Sequence, residues 1–504
     1  MPKRTDTPDH APRSDRLIVL SIPFQKILRS HLSDTVRKVL AEKADVIVVS
    51  PFATIPEFRK RYADPRIGHL QGRELGKQSR LARLLSSAGH FLRIRSHWSK
   101  NRDKLQYYWH NRYVRIALEK DHNLKFPYRI VADLLLHLGK YYDIWKLVDN
   151  FFGRTRFDHP ELNEVSKQYE EVVLIQAASW GFQDQALGWM VRRYGWRSIM
   201  LPYTTDQLMV NGHLFCDYDY VCAQGEAEVT YARTLHGIPP ERIVKLGSPS
   251  FDSIRRMTGG GIERSSPEGG DIAVMFAGTA SQYSPRELEI LAVKELHELA
   301  DEETERRIEI VYRPVISPEE SQDVITALFR ESDSLEIQFP SATTIGVTDF
   351  STEKPEDAMK KLLGDLARID ILVTATMTSL TLDAALLGIP TIVYCPIDHP
   401  MLARRRTDLW FEPYPILHGW EKVPTAYTLE ELKKLIWTVA GDAPMRDEIV
   451  RSVLEAWDFS EVDFEKTLSA VVHAKGGFAG EVRRREEASA RPSAILRRSG
   501  ARAP

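Results

Sequence analysis

The residues best suited to hold a ligand fall in one run, Thr374-Ala375-Thr376-Met377-Thr378-Ser379-Leu380-Thr381-Leu382-Asp383, which leads into Leu387-Gly388-Ile389-Pro390. A short apolar stretch, Asp370 to Ala375, reads as a buried strand, and small hydroxyl residues carry it into a helix. Hydroxyls and unpaired backbone N–H groups at a helix N-terminus suit a diphosphate, because the free amides and the helix dipole both favour negative charge. Thr378 and Ser379 are the ligand residues on this reading. Asp383 lies one turn past Ser379 on the same helix face, on the ribose side of such a site. An ordinary N-cap followed by a buried helix fits the same residues equally well. A second turn, Gly278-Thr279-Ala280-Ser281-Gln282, follows the apolar run Asp271 to Gly278. A small, glycine-containing turn lets phosphate oxygens approach the main chain, and a plain strand-to-helix turn explains it equally. No Walker A or GxGxxG motif follows a strand, and Gly259 to Gly261 have no strand before them.

These turns need a scaffold of alternating strands and helices. Continuous apolar runs at Arg16 to Pro23, Ala44 to Pro51, Glu171 to Ser179 and Trp196 to Pro202 read as strands buried on both faces, with helices between them. Residues 257–270, rich in Gly and Ser, read as a linker. The rhythm then restarts at Asp271, and Thr428-Leu429-Glu430-Glu431 reads as a capping box. The expected division is a disordered segment 1–15, a first Rossmann-like domain 16–256 with a helical basic insert 57–150, a second at 271–440, helices 441–474 crossing back onto the first, and a disordered tail 475–504. A chain of 504 residues is too long for one core. The net charge of −2 excludes polyanion binding by the molecule as a whole, and three cysteines without metal spacing fit a reducing compartment. The sequence therefore reads as cytoplasmic.

With the segment His236-Gly237-Ile238-Pro239-Pro240-Glu241-Arg242-Ile243-Val244-Lys245-Leu246-Gly247-Ser248-Pro249-Ser250-Phe251-Asp252 and the loop Ile22 to Leu32, the Thr374 to Pro390 run resembles GT-B glycosyltransferases. The likeness is nearest to CDP-glycerol transferases and surface-polysaccharide transferases. It implies an α/β fold of two Rossmann-like domains facing across a cleft. It also implies a nucleotide-activated sugar as donor, a cell-surface glycan or lipid-linked acceptor, and no metal or resident cofactor. Arg313, in Arg313-Pro314-Val315-Ile316, then becomes a phosphate-binding residue, although the histidine that relatives carry after the proline is absent. Donor binding falls to Gly278, Thr279, Arg313, Thr378, Ser379 and Asp383. A base must take the acceptor proton. His31 occupies the position where many GT-B enzymes carry one, and Asp184 and Asp206 are the alternatives. A CDP-polyol phosphotransferase, a sugar-nucleotide 2-epimerase and an inactive binding subunit on the same fold remain open.

Between Glu57 and Lys125 the chain carries 17 Lys/Arg against 6 Asp/Glu, a local +11 that leaves about −13 on the remainder. The pattern reads as amphipathic helix with interleaved Trp98, Tyr107, Tyr108 and Trp109. Such a face suits an anionic membrane surface or lipid-diphosphate acceptor, and equally a solvated surface; no nucleic-acid motif accompanies it.

Overall fold

A computed structural model describes residues 14–72, 158–177, 182–204, 207–210, 214, 218–258, 271–278, 286–302, 308–315, 322–329, 335–339, 355–375, 379–396, 422–457 and 462–474. The first sheet is wholly parallel. Its strands are β1 (Arg16–Ser21), β2 (Asp45–Ser50), β3 (Ile67–Gln71), β4 (Glu171–Gln176), β5 (Arg197–Met200), β6 (Tyr220–Ala223) and β7 (Ile243–Lys245), in spatial order β3-β2-β1-β4-β5-β6-β7. Helices α1 (Leu28–His31), α2 (Asp34–Ala41), α3 (Pro56–Arg61), α4 (Pro160–Ser166), α5 (Phe182–Tyr194), α6 (Gln207–Val210) and α7 (Glu226–Thr234) alternate with these strands, and α8 (Pro249–Thr258) leads out of the sheet. Every residue of β1 is buried, as expected of a parallel strand with helices on both faces.

The second sheet repeats the plan. Strands β8 (Ile272–Ala277), β9 (Ile308–Arg313), β10 (Glu336–Ile337), β11 (Ile371–Thr374), β12 (Thr391–Tyr394) and β13 (Thr425–Ala426) are parallel in the order β10-β9-β8-β11-β12-β13. Helices α9 (Arg286–Glu302), α10 (Gln322–Ala327), α11 (Pro355–Ala367) and α12 (Ser379–Leu386) belong to it, followed by α13 (Leu429–Gly441), α14 (Ala443–Trp457) and α15 (Phe464–His473). Gly388 ends α12 with φ at 73°. Its N–H reaches Ala385 O at 3.0 Å and that of Ile389 reaches Ala384 O at 2.9 Å, the paired bonds of a Schellman stop, which favours glycine at the left-handed position. Helix α13 begins on the expected capping box, with Thr428 and Glu431 exchanging side-chain-to-backbone bonds of 3.1 Å.

The chain thus forms an α/β protein with two separate parallel sheets. One continuous apolar cluster spans the second sheet and reaches Tyr218, Tyr231, Phe251 and Ile254 of the first half, through packing of α7 and α8 against α12 and α14. Helix α14 lies in this cluster through Ile449 and Val453. It is α15 that enters the core of the first sheet, burying Phe464, Leu468, Val471 and Val472. The Arg197 guanidinium donates to Ala474 O at 2.6 Å and to Val472 O, satisfying carbonyls at the end of α15.

One difference from the sequence reading concerns the basic stretch. Its first part is α3 and then strand β3, which pairs with β2 from Val46↔Ile67 to Ser50↔Gln71. As an edge strand, β3 is only half buried, so it lacks the continuous apolar run by which the inner strands are recognised. Among the described basic residues there, Arg59 donates to Ala53 O and Arg66 to Ala41 O and Glu42 O. Residues 73–157, which hold Trp98, Tyr107, Tyr108 and Trp109, lie outside the described residues, as do 1–13 and 475–504.

Just after β3, a Cβ added at Gly72 would lie 2.0 Å from Gln183 Oε1. Gln183 is fixed there by bonds to Ser21 Oγ (2.9 Å) and Val49 O (2.8 Å), so it cannot yield cheaply. Gly72→Ala is expected to destabilise the protein by about 1–3 kcal/mol, the usual cost of overpacking, in urea unfolding. Wild-type stability in that variant would show that the close approach is not real.

Candidate functional site

Both sheets reverse their order of growth next to their first strand, between β1 and β4 and between β8 and β11. Helices leave on opposite faces at such a point, and the crevice beyond the carboxyl ends of the strands is where open parallel sheets bind ligands. The sequence-derived residues divide between these two edges.

At the first edge, Ser21 ends β1 and Gln176 ends β4, and the first turn of α5 closes over both. Ser21 Oγ–H donates to Asp184 Oδ1 at 2.8 Å. Gln176 Nε2 donates to the Asp184 carbonyl at 2.8 Å and its Oε1 accepts from Tyr218 O–H at 2.6 Å. Ser21, Gln176 and Asp184 are each 0% exposed, so this network fixes where α5 starts. His31 is also enclosed, at 0% exposure. Its Nε2 lies 2.7 Å from Leu201 O just beyond β5, and a carbonyl only accepts, so Nε2 carries a proton. Nδ1 lies 2.7 Å from Ser30 Oγ. Burial lowers the His31 pKa from 6.5 to about 4, partly opposed by the bond to Leu201, and the ring is neutral. The structure thus brings His31 and Asp184 to the same sheet edge and joins each to the main chain or a buried hydroxyl. Asp206 lies outside the described residues.

At the second edge, Gly278 follows β8, and its N–H continues the ladder to Arg313 O at 2.9 Å. Ser379 is the first residue of α12 and is exposed. Asp383, inside the same helix, is 2% exposed. Arg313 ends β9 and donates to Asp365 of α11 at 2.8 Å, both side chains being largely buried. Asp383 also bears electrostatically on the Arg313 guanidinium, while burial lowers the Arg313 pKa. One cation therefore faces two carboxylates, and its charge is not left over for a ligand. Thr279 and Thr378 lie outside the described residues.

The sequence reading missed Asp365, Arg286, Glu289 and Tyr312. Arg286 and Glu289 form a buried ion pair in the first turn of α9, and both bond the Tyr312 hydroxyl. Their spacing of three residues on a helix was a legible signal. Asp365 sits 52 residues from Arg313, and no local pattern announces the pair. Helix α1 packs against α11 and α8, so the His31 edge lies beside the helix that anchors Arg313. Among the described residues, no group of three or more His, Cys, Asp or Glu is arranged to hold a metal, and no helix is long and apolar enough to cross a membrane.

No family model matches this chain, and no curated protein matches it. Solved structures are similar over most of its length. Staphylococcus aureus MnaA in complex with UDP aligns with a TM-score of 0.47 at 10% identity, covering 91% of this chain and 95% of that one. A glycosyltransferase from Rickettsia africae aligns with a TM-score of 0.42 at 7% identity, covering 95% and 99%. The wall teichoic acid polymerase TagF aligns with a TM-score of 0.40 at 10% identity, covering 94% and 90%.

The neutral, enclosed His31 makes stability pH-dependent in a defined direction. Its folded pKa is depressed, so the unfolded chain takes up a proton near pH 6.5 that the folded chain refuses until about pH 4. The stability it contributes is complete above pH 6.5 and is lost as pH falls toward 4. The loss amounts to roughly 2–3 kcal/mol between pH 6.5 and 4.5. Urea unfolding of His31→Gln, which keeps an N–H for Leu201 O, is expected to show a flatter acid limb than wild type. Identical slopes would assign the effect to other groups.

Proposed function

We propose that the protein is a GT-B-type glycosyltransferase that moves a sugar from a nucleotide donor to a cell-surface glycan or lipid-linked acceptor. The observation that carries this reading is the second switch point. There Gly278, which has no side chain, follows β8, and an exposed hydroxyl, Ser379, opens the helix that follows β11. Backbone N–H groups and helix dipoles supply what a diphosphate needs, and they do so without a buried cation. Gly278 and Ser379 are the described residues that line the diphosphate on this reading, with Asp383 on the ribose side. Arg313, held by Asp365, supports the donor at its inner end. The acceptor approaches from the first sheet edge. Of the candidate bases, Asp184 lies at the switch point itself, where it accepts from Ser21, and His31 braces Leu201.

A second reading has one specific observation in its favour. His31 and Asp184 are both enclosed, and Arg313 is already neutralised, as in a subunit that binds nucleotide without turning it over.

Two measurements separate these. Calorimetric titration with UDP and with CDP is expected to show binding to one of them. Ser379→Ala changes an exposed side chain and should weaken that binding by about 0.5–1.5 kcal/mol, while Arg313→Ala, which leaves the buried Asp365 carboxylate without its partner, should lower binding and stability together. Unchanged binding in both variants would place the donor elsewhere. Steady nucleotide release from UDP- or CDP-activated sugars with acceptor supports transfer, whereas binding without release or sugar conversion supports the binding subunit.

A further inference from the structure

The buried group Arg286, Glu289 and Tyr312 is not used by the proposed chemistry, yet it joins the turns that would hold the donor. Arg286 is the first residue of α9, the helix that follows β8 in the chain. One arm of its guanidinium, Nη1, donates to Glu289 Oε2 and, at 2.9 Å, to the Tyr312 hydroxyl of β9. The other arm, Nη2, donates to the main-chain oxygen of Val315, beyond the end of β9. Tyr312 O–H donates in turn to Glu289 Oε2 at 3.0 Å. Burial and the adjacent Glu289 carboxylate push the Tyr312 pKa up, so it keeps that proton. A Cβ at Gly278 would lie 2.6 Å from Glu289 Oε2, so the carboxylate is seated directly against the donor-side turn.

The side chains are 9% and 1% exposed for Arg286 and Glu289, and Tyr312 is fully buried. An ion pair this buried contributes little net stability compared with apolar side chains of similar volume, because desolvation offsets the attraction. What the pair supplies beyond stability is direction. A planar fork with two occupied arms fixes one turn relative to the other, which a point charge such as lysine cannot do.

We propose that Arg286, with Glu289 and Tyr312, is a positioning tether that sets the spacing between Gly278, just beyond β8, and Val315, just beyond β9, and thereby shapes the main chain that receives a nucleoside diphosphate. The inference rests on the donor-site reading given above. Arg286 touches the turns and not the ligand, and it acts through Gly278 and the Val315 segment.

The test compares wild type, Arg286→Lys, Tyr312→Phe and the paired change Arg286→Met with Glu289→Gln. The paired change removes both charges and keeps the volume, so the fold is expected to survive. UDP and CDP affinities and urea stability are measured together, with hydrogen exchange at the Gly278 amide as a readout that needs no nucleotide. The expected result for Arg286→Lys and the paired variant is faster Gly278 exchange and about ten-fold weaker binding, the size of effect that supporting residues have around metal sites, at near-wild-type stability. Tyr312→Phe, which breaks one link only, should move both readouts in the same direction by less. Unchanged exchange overturns the tether whatever the nucleotide does. Faster exchange with wild-type affinity overturns its role in donor binding. Wild type that binds neither UDP nor CDP overturns the donor-site reading, and that outcome is read on wild type alone.

Discussion

Each sheet of this protein is built outward from its middle. β1 and β8 are made first, neighbours are added on one side, and the chain then returns to add β4 or β11 on the other. Right-handed crossovers place the helices of the two sides on opposite faces. The carboxyl ends of β1 and β4, and of β8 and β11, therefore lie where helices diverge to opposite faces of the sheet. Everything that reads as functional in this chain follows from that constraint, because these are the places where main-chain amides and side chains can meet a ligand without breaking the core.

The polar groups at the two edges are arranged so that little charge is left unmatched. Ser21 bonds Asp184, Arg313 is paired with Asp365, and Arg286 is paired with Glu289. Buried charges require such partners, since an isolated one is expensive to desolvate. On the proposed reading, an anionic ligand at the second edge meets backbone dipoles and hydroxyls, and the paired side chains hold those groups in place. The shared apolar cluster that runs through α7, α8, α12 and α14 joins the two halves by packing, and α15 ties the end of the described chain to the first sheet.

Much of the fold was legible because parallel strands covered on both faces must be continuous apolar runs. Arg16 to Pro23 and Asp271 to Gly278 announce β1 and β8 in this way. Helix ends were legible where a local rule applies, as at Thr428 with Glu431 and at Gly388. The edge strands β3, β10 and β13 were not. β3 is half exposed, and β10 and β13 are two residues each, so no apolar run marks them. Of the candidate site, the placement of Gly278, Ser379 and Asp383 at the ends of strands and the start of a helix was legible, because strand-to-helix junctions are local features. The partners Asp365 and Tyr312 come from distant parts of the chain and only the folded sheet brings them to Arg313's neighbourhood and to Arg286. The burial of His31 and Asp184 was likewise invisible, because it depends on Leu201 and Ser21 arriving from other strands.

The central claim is that a nucleoside diphosphate occupies the crevice at the carboxyl ends of β8 and β11. An experimental structure with UDP or CDP bound tests this most directly. The account predicts the diphosphate against the main chain at Gly278 and the start of α12 at Ser379, with the ribose toward Asp383. A nucleotide seated instead at the ends of β1 and β4, beside Ser21 and Asp184, or anywhere remote from both switch points, would contradict it.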